Sequence, residues 1–167
     1  MTQSKTLRRW ELALLLGVAL AALLGVWLDG AQAALSDRVI RLHVLANSDS
    51  EADQALKLRV RDAVLAEAEE LFVPGAGRAE TEELLRAHLY DLAAAGAEVV
   101  GEAGYSYPVT ASLVHDYWFP PKTYTDFALP AGAYTALRIE IGAGGGQNWW
   151  CVVFPPLCLG SVSETTQ

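Results

Sequence analysis

The run Val39-Ile40-Arg41-Leu42-His43-Val44-Leu45, closed by Ala46-Asn47-Ser48-Asp49-Ser50, decides the fold. Apolar and β-branched residues ended by a polar cluster spell a short strand. Ser50 then stands three positions before Asp53, the spacing of a capping box with an acid in place of the usual Glu or Gln. A strand that hands over directly to a capped helix sets a mixed α and β domain. The rest of the chain decides which kind.

The helix predicted after Ser50 runs to about Phe72, with Leu56, Val60, Ala63, Val64 and Leu71 along one side. Asp53 precedes Lys57 by four residues, the favourable order for an ion pair. Pro74-Gly75-Ala76-Gly77 stops this helix. A second is expected from about Ala79 to Val100, with Leu85, Leu89, Leu92 and Val99 on one face and Glu82, Glu83, Arg86 and Glu98 away from it. From Tyr105 onward aromatic and β-branched residues take over, and strands are expected at 107–116, 133–141 and 148–154. Pro120-Pro121, Pro130-Ala131-Gly132 and the run Gly142-Ala143-Gly144-Gly145-Gly146-Gln147 connect them, the last reading as a flexible hairpin loop. The order β-α-α-β-β-β gives an α+β domain, a mostly antiparallel sheet with two helices packed on one face.

Ahead of this domain, residues 12–28 are apolar and carry no charge. Lys5, Arg8 and Arg9 precede them, and Ala31-Gln32-Ala33 follows, so the segment has the three parts of a secretory signal. Seventeen residues also sit at the short edge of what spans a bilayer, so a retained anchor satisfies the same pattern. Residues 1–33 are read as signal peptide or anchor, 34–160 as one exported domain, and 161–167 as a polar tail. Membrane contact is expected only through 12–28, if that segment stays uncleaved. Of twelve basic residues three lie ahead of Ala34, and of twenty acids two do, which leaves 34–167 with a net charge of −9. Such a surface repels phosphate backbones, and nucleic-acid binding is excluded.

The candidate chemistry is sparse. The Gly142-x-Gly144 run lacks a glycine at 147 and precedes a strand, so it cannot cradle a nucleotide. Asp49, Glu51 and Asp53 alternate like a calcium loop but lack its glycine and its terminal acid, and helix capping accounts for them. Cys151 and Cys158 are the only cysteines. In an exported chain they are disulfide candidates; free structural thiols are the plainer alternative, and a nucleophile served by His43 or His115, or a metal site, the sharper ones. His43 reads as a half-buried histidine with one hydrogen bond. His115 closes a strand, and His88 sits among helical leucines. No catalytic residue, metal or cofactor is expected.

Asn148-Trp149-Trp150-Cys151-Val152-Val153-Phe154 is the most unusual stretch. Alternation sets Trp149, Cys151 and Val153 on one face and Trp150, Val152 and Phe154 on the other. Both faces are apolar, so the strand is either covered twice or keeps a face for a partner. Phe119-Pro120-Pro121-Lys122-Thr123-Tyr124 is a stiff aromatic segment suited to the same use. Phe119, Lys122, Tyr124, Trp149 and Trp150 are the partner-contact candidates.

Together these stretches resemble stage II sporulation protein R of endospore-forming bacteria. The resemblance is carried by Ile40 through Ser50, Asp53-Gln54-Ala55-Leu56-Lys57-Leu58, and Val60-Arg61-Asp62. Later it is carried by Phe119-Pro120 with Lys122 and Tyr124, Leu129-Pro130-Ala131-Gly132 with Tyr134, and the long block from Asn148 to Cys158. It implies a signalling protein and not an enzyme, exported from the forespore into the intermembrane space. There it would activate a membrane-embedded aspartic protease, leading to processing of pro-sigma factor E in the mother cell. The competing class is an exported hydrolase or thiol peptidase using Cys151. A third reading is a structural domain tethered by an uncleaved anchor.

Overall fold

The computed structural model describes residues 8–124 and 127–157. Contacts divide the chain into two units, Met1–Leu35 and Ser36–Gln167. The first holds helix α1 (Arg9–Ser36). Within it Arg9–Trp27 has a mean hydropathy of 2.0 and is long and apolar enough to cross a membrane.

The second unit is α+β. Strand β1 (Ile40–Leu45) leads into helices α2 (Glu51–Glu70), α3 (Arg78–Ala87) and α4 (Leu89–Glu102). Strands β2 (Val109–Phe119), β3 (Lys122–Thr123), β4 (Ala128–Leu129), β5 (Gly132–Ile141) and β6 (Asn148–Phe154) follow. The main sheet has the order β2-β5-β1-β6; β3 and β4 form a separate two-stranded ribbon. β2–β5 and β1–β6 are antiparallel pairs, while β1 and β5 run parallel with Leu42 opposite Leu137.

β1 is therefore central, and every one of its residues is buried. That corrects the half-burial expected of His43, which is fully buried because an interior strand covered on both faces leaves no wet side. On one face Ile40, Leu42, Val44, Leu137 and Ile139 form the core with Leu56, Val60 and Val64 of α2, Leu85 of α3 and Leu92 of α4. Burial of this set supplies the main stabilisation, about 1.5–3 kcal/mol for each large side chain removed from water.

The α2 cap forms as its sequence specifies. Ser50 Oγ accepts from the Asp53 backbone N–H at 3.2 Å. Asp53 turns its carboxylate to Ser48 Oγ and to Asn47 Nδ2 (2.9 Å), which hold it well below the usual carboxylate range. With Asp53 committed to that loop, Lys57 does not pair with it. Its ammonium donates instead to Gln54 Oε1 (2.6 Å) and the Gln147 carbonyl (2.9 Å).

Three further features depart from the sequence reading. The second helix is two, because His88 leaves helical geometry (φ −111°, ψ 20°) and its Nδ1 turns back to the Leu84 carbonyl at 2.8 Å. β2 continues past His115 through an irregularity between Val114 and Tyr117, where Asp116 adopts φ 54°. Such bulges redirect side chains, here swinging His115 to the helix side and Tyr117 to the other. The third concerns the run at 142–147, which is not a hairpin loop, because β5 and β6 flank β1 and do not pair.

That glycine run crosses the end of β1 in close contact with it. Gly146 and Gly145 donate to the carbonyls of Ala46 (2.9 Å) and Asn47 (3.2 Å), and the Gln147 N–H donates to Asp49 Oδ1 (2.8 Å). A Cβ on Gly146 would stand 2.2 Å from the Ser48 carbonyl oxygen, and one on Gly142 the same distance from Asn47 Oδ1. The glycines serve close approach, not flexibility. This run and the Asn47–Asp53 polar web fix where β6, and thus Trp149 and Trp150, lie against β1.

Candidate functional site

In β1 the side chains alternate, so Arg41 and His43 project from the sheet away from the helices. Strand register gathers Tyr117 and Phe119 of β2, Tyr134 and Arg138 of β5, and Asn148 and Trp150 of β6 on the same face. The β3–β4 ribbon, joined by a Tyr124 N–H bond to the Phe127 carbonyl (2.8 Å), lies at the Arg41 end.

Arg41 is fully buried. Its Nη2 donates to Tyr124 Oη at 3.2 Å, and its Cζ lies 4.0 Å from the centre of the Phe119 ring and 5.2 Å from that of Tyr134. Among the described residues, Nε and Nη1 have no hydrogen-bond partner. Tyr124 stacks on Phe127 at 4.5 Å and points its hydroxyl toward the Trp150 carbonyl at 3.4 Å. Burial raises the Tyr124 and Tyr134 hydroxyls above the usual tyrosine range, opposed in each by the Arg41 charge. Tyr134 donates its own proton to the Pro130 carbonyl at 2.8 Å.

His43 donates Nε2–H to Asn148 Oδ1 at 2.6 Å, which leaves Nδ1 as an acceptor without a partner. Burial lowers its pKa below 6.5; the Asn148 bond works the other way, as does Glu140, while Arg138 and Arg41 lower it further. The ring is therefore neutral at pH 7, packed against Tyr117 (5.0 Å), Phe119 (6.0 Å) and Trp150 (6.3 Å). Trp150 Nε1 is likewise buried and unpartnered.

The candidate contacts named from the sequence divide accordingly. Phe119 and Tyr124 meet Arg41, Trp150 packs on His43 and Phe119 beside them, and Lys122 is exposed on the adjoining ribbon. Phe119 is wholly inside and offers no surface, and Tyr124 and Trp150 are half-buried. Trp149 faces the other way, with the Arg61 guanidinium 4.4 Å above its ring. Arg41 itself escaped the sequence reading. The available signal was a lone arginine inside an otherwise apolar run, a charge that has no business in a central strand unless the structure uses it.

The arrangement offers no thiol chemistry among the described residues. Cys151 pairs with Leu42 and shares the helix-covered face, opposite to His43. His115 lies on β2, separated from β6 by β5 and β1, roughly 14 Å at the usual strand spacing. It is occupied with Thr135 Oγ1 at 3.2 Å and Glu82 at 3.4 Å. Cys151 is buried, and no cysteine among the described residues is free; Cys158, its proposed disulfide partner, lies outside the described residues.

Residues 36–164 match the family model for stage II sporulation protein R. A protein of that name from Bacillus subtilis (strain 168) is 39% identical over 125 residues, covering 75% of this chain and 55% of the relative. The chain thus spans about half the length of the curated relative it matches. No solved structure matches.

Proposed function

Since this chain belongs to the stage II sporulation protein R family, we propose that it is an exported signalling ligand that activates a membrane-embedded aspartic protease. Activation leads that protease to process pro-sigma factor E in the mother cell. The observation that carries this reading is the family match across 36–164. The apolar helix Arg9–Trp27 supports export from the forespore into the intermembrane space, as a cleaved signal or a retained anchor.

The domain acts by binding. A ligand shifts a protease toward its active state only through tighter binding to that state, so recognition is the whole of its chemistry. Lys122 with the exposed parts of Tyr124 and Trp150 forms the contact surface, and a Cys151–Cys158 disulfide holds the end of β6 in place. Production of the full chain with its export segment, beside the membrane protease and pro-sigma factor E, tests this reading by gel shift. Pro-sequence removal that requires the chain and survives Cys151→Ser is expected. A folded, exported chain that leaves the pro-sequence intact contradicts it.

A further inference from the structure

Arg41 breaks a pattern that the other arginines of the main sheet and of helices α2, α3 and α4 keep. Arg59 holds Glu102, Arg61 holds Asp62, Arg78 and Arg86 hold Glu82, and Arg138 holds Glu140. Arg41 is the most buried of these and has no carboxylate among the described residues. Among the described residues its side chain makes one hydrogen bond, to a neutral hydroxyl, and Nε and Nη1 go unused. Ring faces offset part of a buried charge, but cation–π contacts give no acceptor to the N–H groups. A buried unpaired cation is destabilising, and an apolar side chain of similar volume would serve the core at least as well.

We propose that Arg41 is a socket for a carboxylate of the partner, an Asp or Glu side chain that enters beside Tyr124 and takes the place of its hydroxyl. This rests on the reading of the chain as a protein ligand. Release of Nη2 from Tyr124 joins it to the two unused donors, completing the fork that a carboxylate accepts with both oxygens. The half-buried Tyr124 stands between the guanidinium and solvent on the ribbon side. Lys122, exposed on β3 beside Tyr124, adds a second cation. On a domain with net charge −9 over 34–167, this cationic spot steers an acidic segment to one place on the surface.

The test uses the full chain in detergent and the solubilised membrane protease as probe, with melting temperature recorded for each variant. Arg41→Met is expected to melt at or above the wild-type temperature yet bind the protease about tenfold or more weakly, with a matching loss of pro-sequence removal. A purely structural arginine would not separate the two readouts in this way. Tyr124→Phe, which removes the competing hydroxyl, is expected to bind several-fold more tightly, and Arg59→Gln to bind as wild type. Arg41→Met that binds and activates like wild type overturns the socket.

Small anions give a partner-free arm. At matched ionic strength, acetate should raise the melting temperature of Tyr124→Phe above its value in chloride, and should fail to do so when Arg41→Met is added. Equal behaviour in acetate and chloride overturns the socket even if Arg41→Met fails to fold, and a response to phosphate without one to acetate overturns the carboxylate assignment. If the wild-type chain neither binds nor activates the protease, the signalling reading falls, and the acetate arm still decides whether Arg41 takes a carboxylate.

Discussion

On the helix-covered face of the sheet, Leu42, Val44, Leu137 and Ile139 meet Val60, Val64, Leu85 and Leu92 in wholly apolar contact. Across the same strands, Arg41, His43 and Trp150 bury polar atoms that find no partner. Both faces are dry at β1, but the unpartnered atoms of the helix side, Trp149 Nε1 and Arg78 Nε, belong to side chains flanking β1, whereas those of Arg41 and His43 belong to β1 itself. Unpaired buried donors cost about 1–3 kcal/mol each, and a face carrying several of them contributes less to stability than its burial suggests. On the function proposed above, the helix face folds the domain and the ribbon face recognises the partner.

The first way to break this comparison is to damage the helix face. Leu137→Ala removes a fully buried side chain between Leu42 and Leu113, and should cost about 3 kcal/mol in urea unfolding. Activation by the fraction that stays folded should survive. An equal loss for Leu137→Ala and Arg41→Met would erase the distinction between the faces.

Next in size is the proposed cross-link at the end of β6. Replacing both Cys151 and Cys158 by Ser should cost about 2.5 kcal/mol against the oxidised chain, the chain-entropy value for a loop of roughly eight residues. Mass spectrometry without reduction should find the wild type two mass units lighter than its reduced form. Gly146→Ala comes third, because its Cβ would stand 2.2 Å from the Ser48 carbonyl and force the crossing loop off β1. A loss of about 2 kcal/mol is expected. Its second consequence sharpens the comparison: displacement of β6 should weaken partner binding through Trp150, four residues further along the chain.

The smallest effect is the pH dependence from His43. Its folded pKa lies below 6.5, so the unfolded chain takes up protons first as pH falls. The stability that neutral His43 contributes is fully present above 6.5 and is lost as pH falls through the folded value. Asp53 contributes in a separate window, since its folded pKa is depressed below 3.8. Urea midpoints between pH 7.5 and 5 should therefore fall for the wild type and fall less for His43→Gln.

Much of this architecture was legible in the residues. The alternation of Trp149, Cys151 and Val153 against Trp150 and Val152 places β6 correctly at Asn148–Phe154, and the Ser50 cap starts α2 where the structure starts it. The α+β class follows from element order. Strand order does not, since a six-residue glycine run between two strands looks like a hairpin whether the strands pair or flank a third. Only the contacts of Gly142 and Gly146 with Asn47 and Ser48 tell the two apart, and those are long-range. The break at His88 comes from one side chain competing for the Leu84 carbonyl, a local event inside a good apolar period. The β3–β4 ribbon has two residues in each strand, too few for periodicity to show. Of the site, the aromatic and cationic residues of 119–124 and Trp150 stood out, while Arg41 hid among apolar neighbours and acquires meaning only once its face is known.

Amide hydrogen exchange of the full chain, free and bound to the solubilised membrane protease, tests the division of labour most directly. Protection gained at 119–124 and 148–150, with α2 and α4 unchanged, is the predicted result. Protection gained on α2 and α4, with the ribbon face exchanging as in the free chain, would contradict the account.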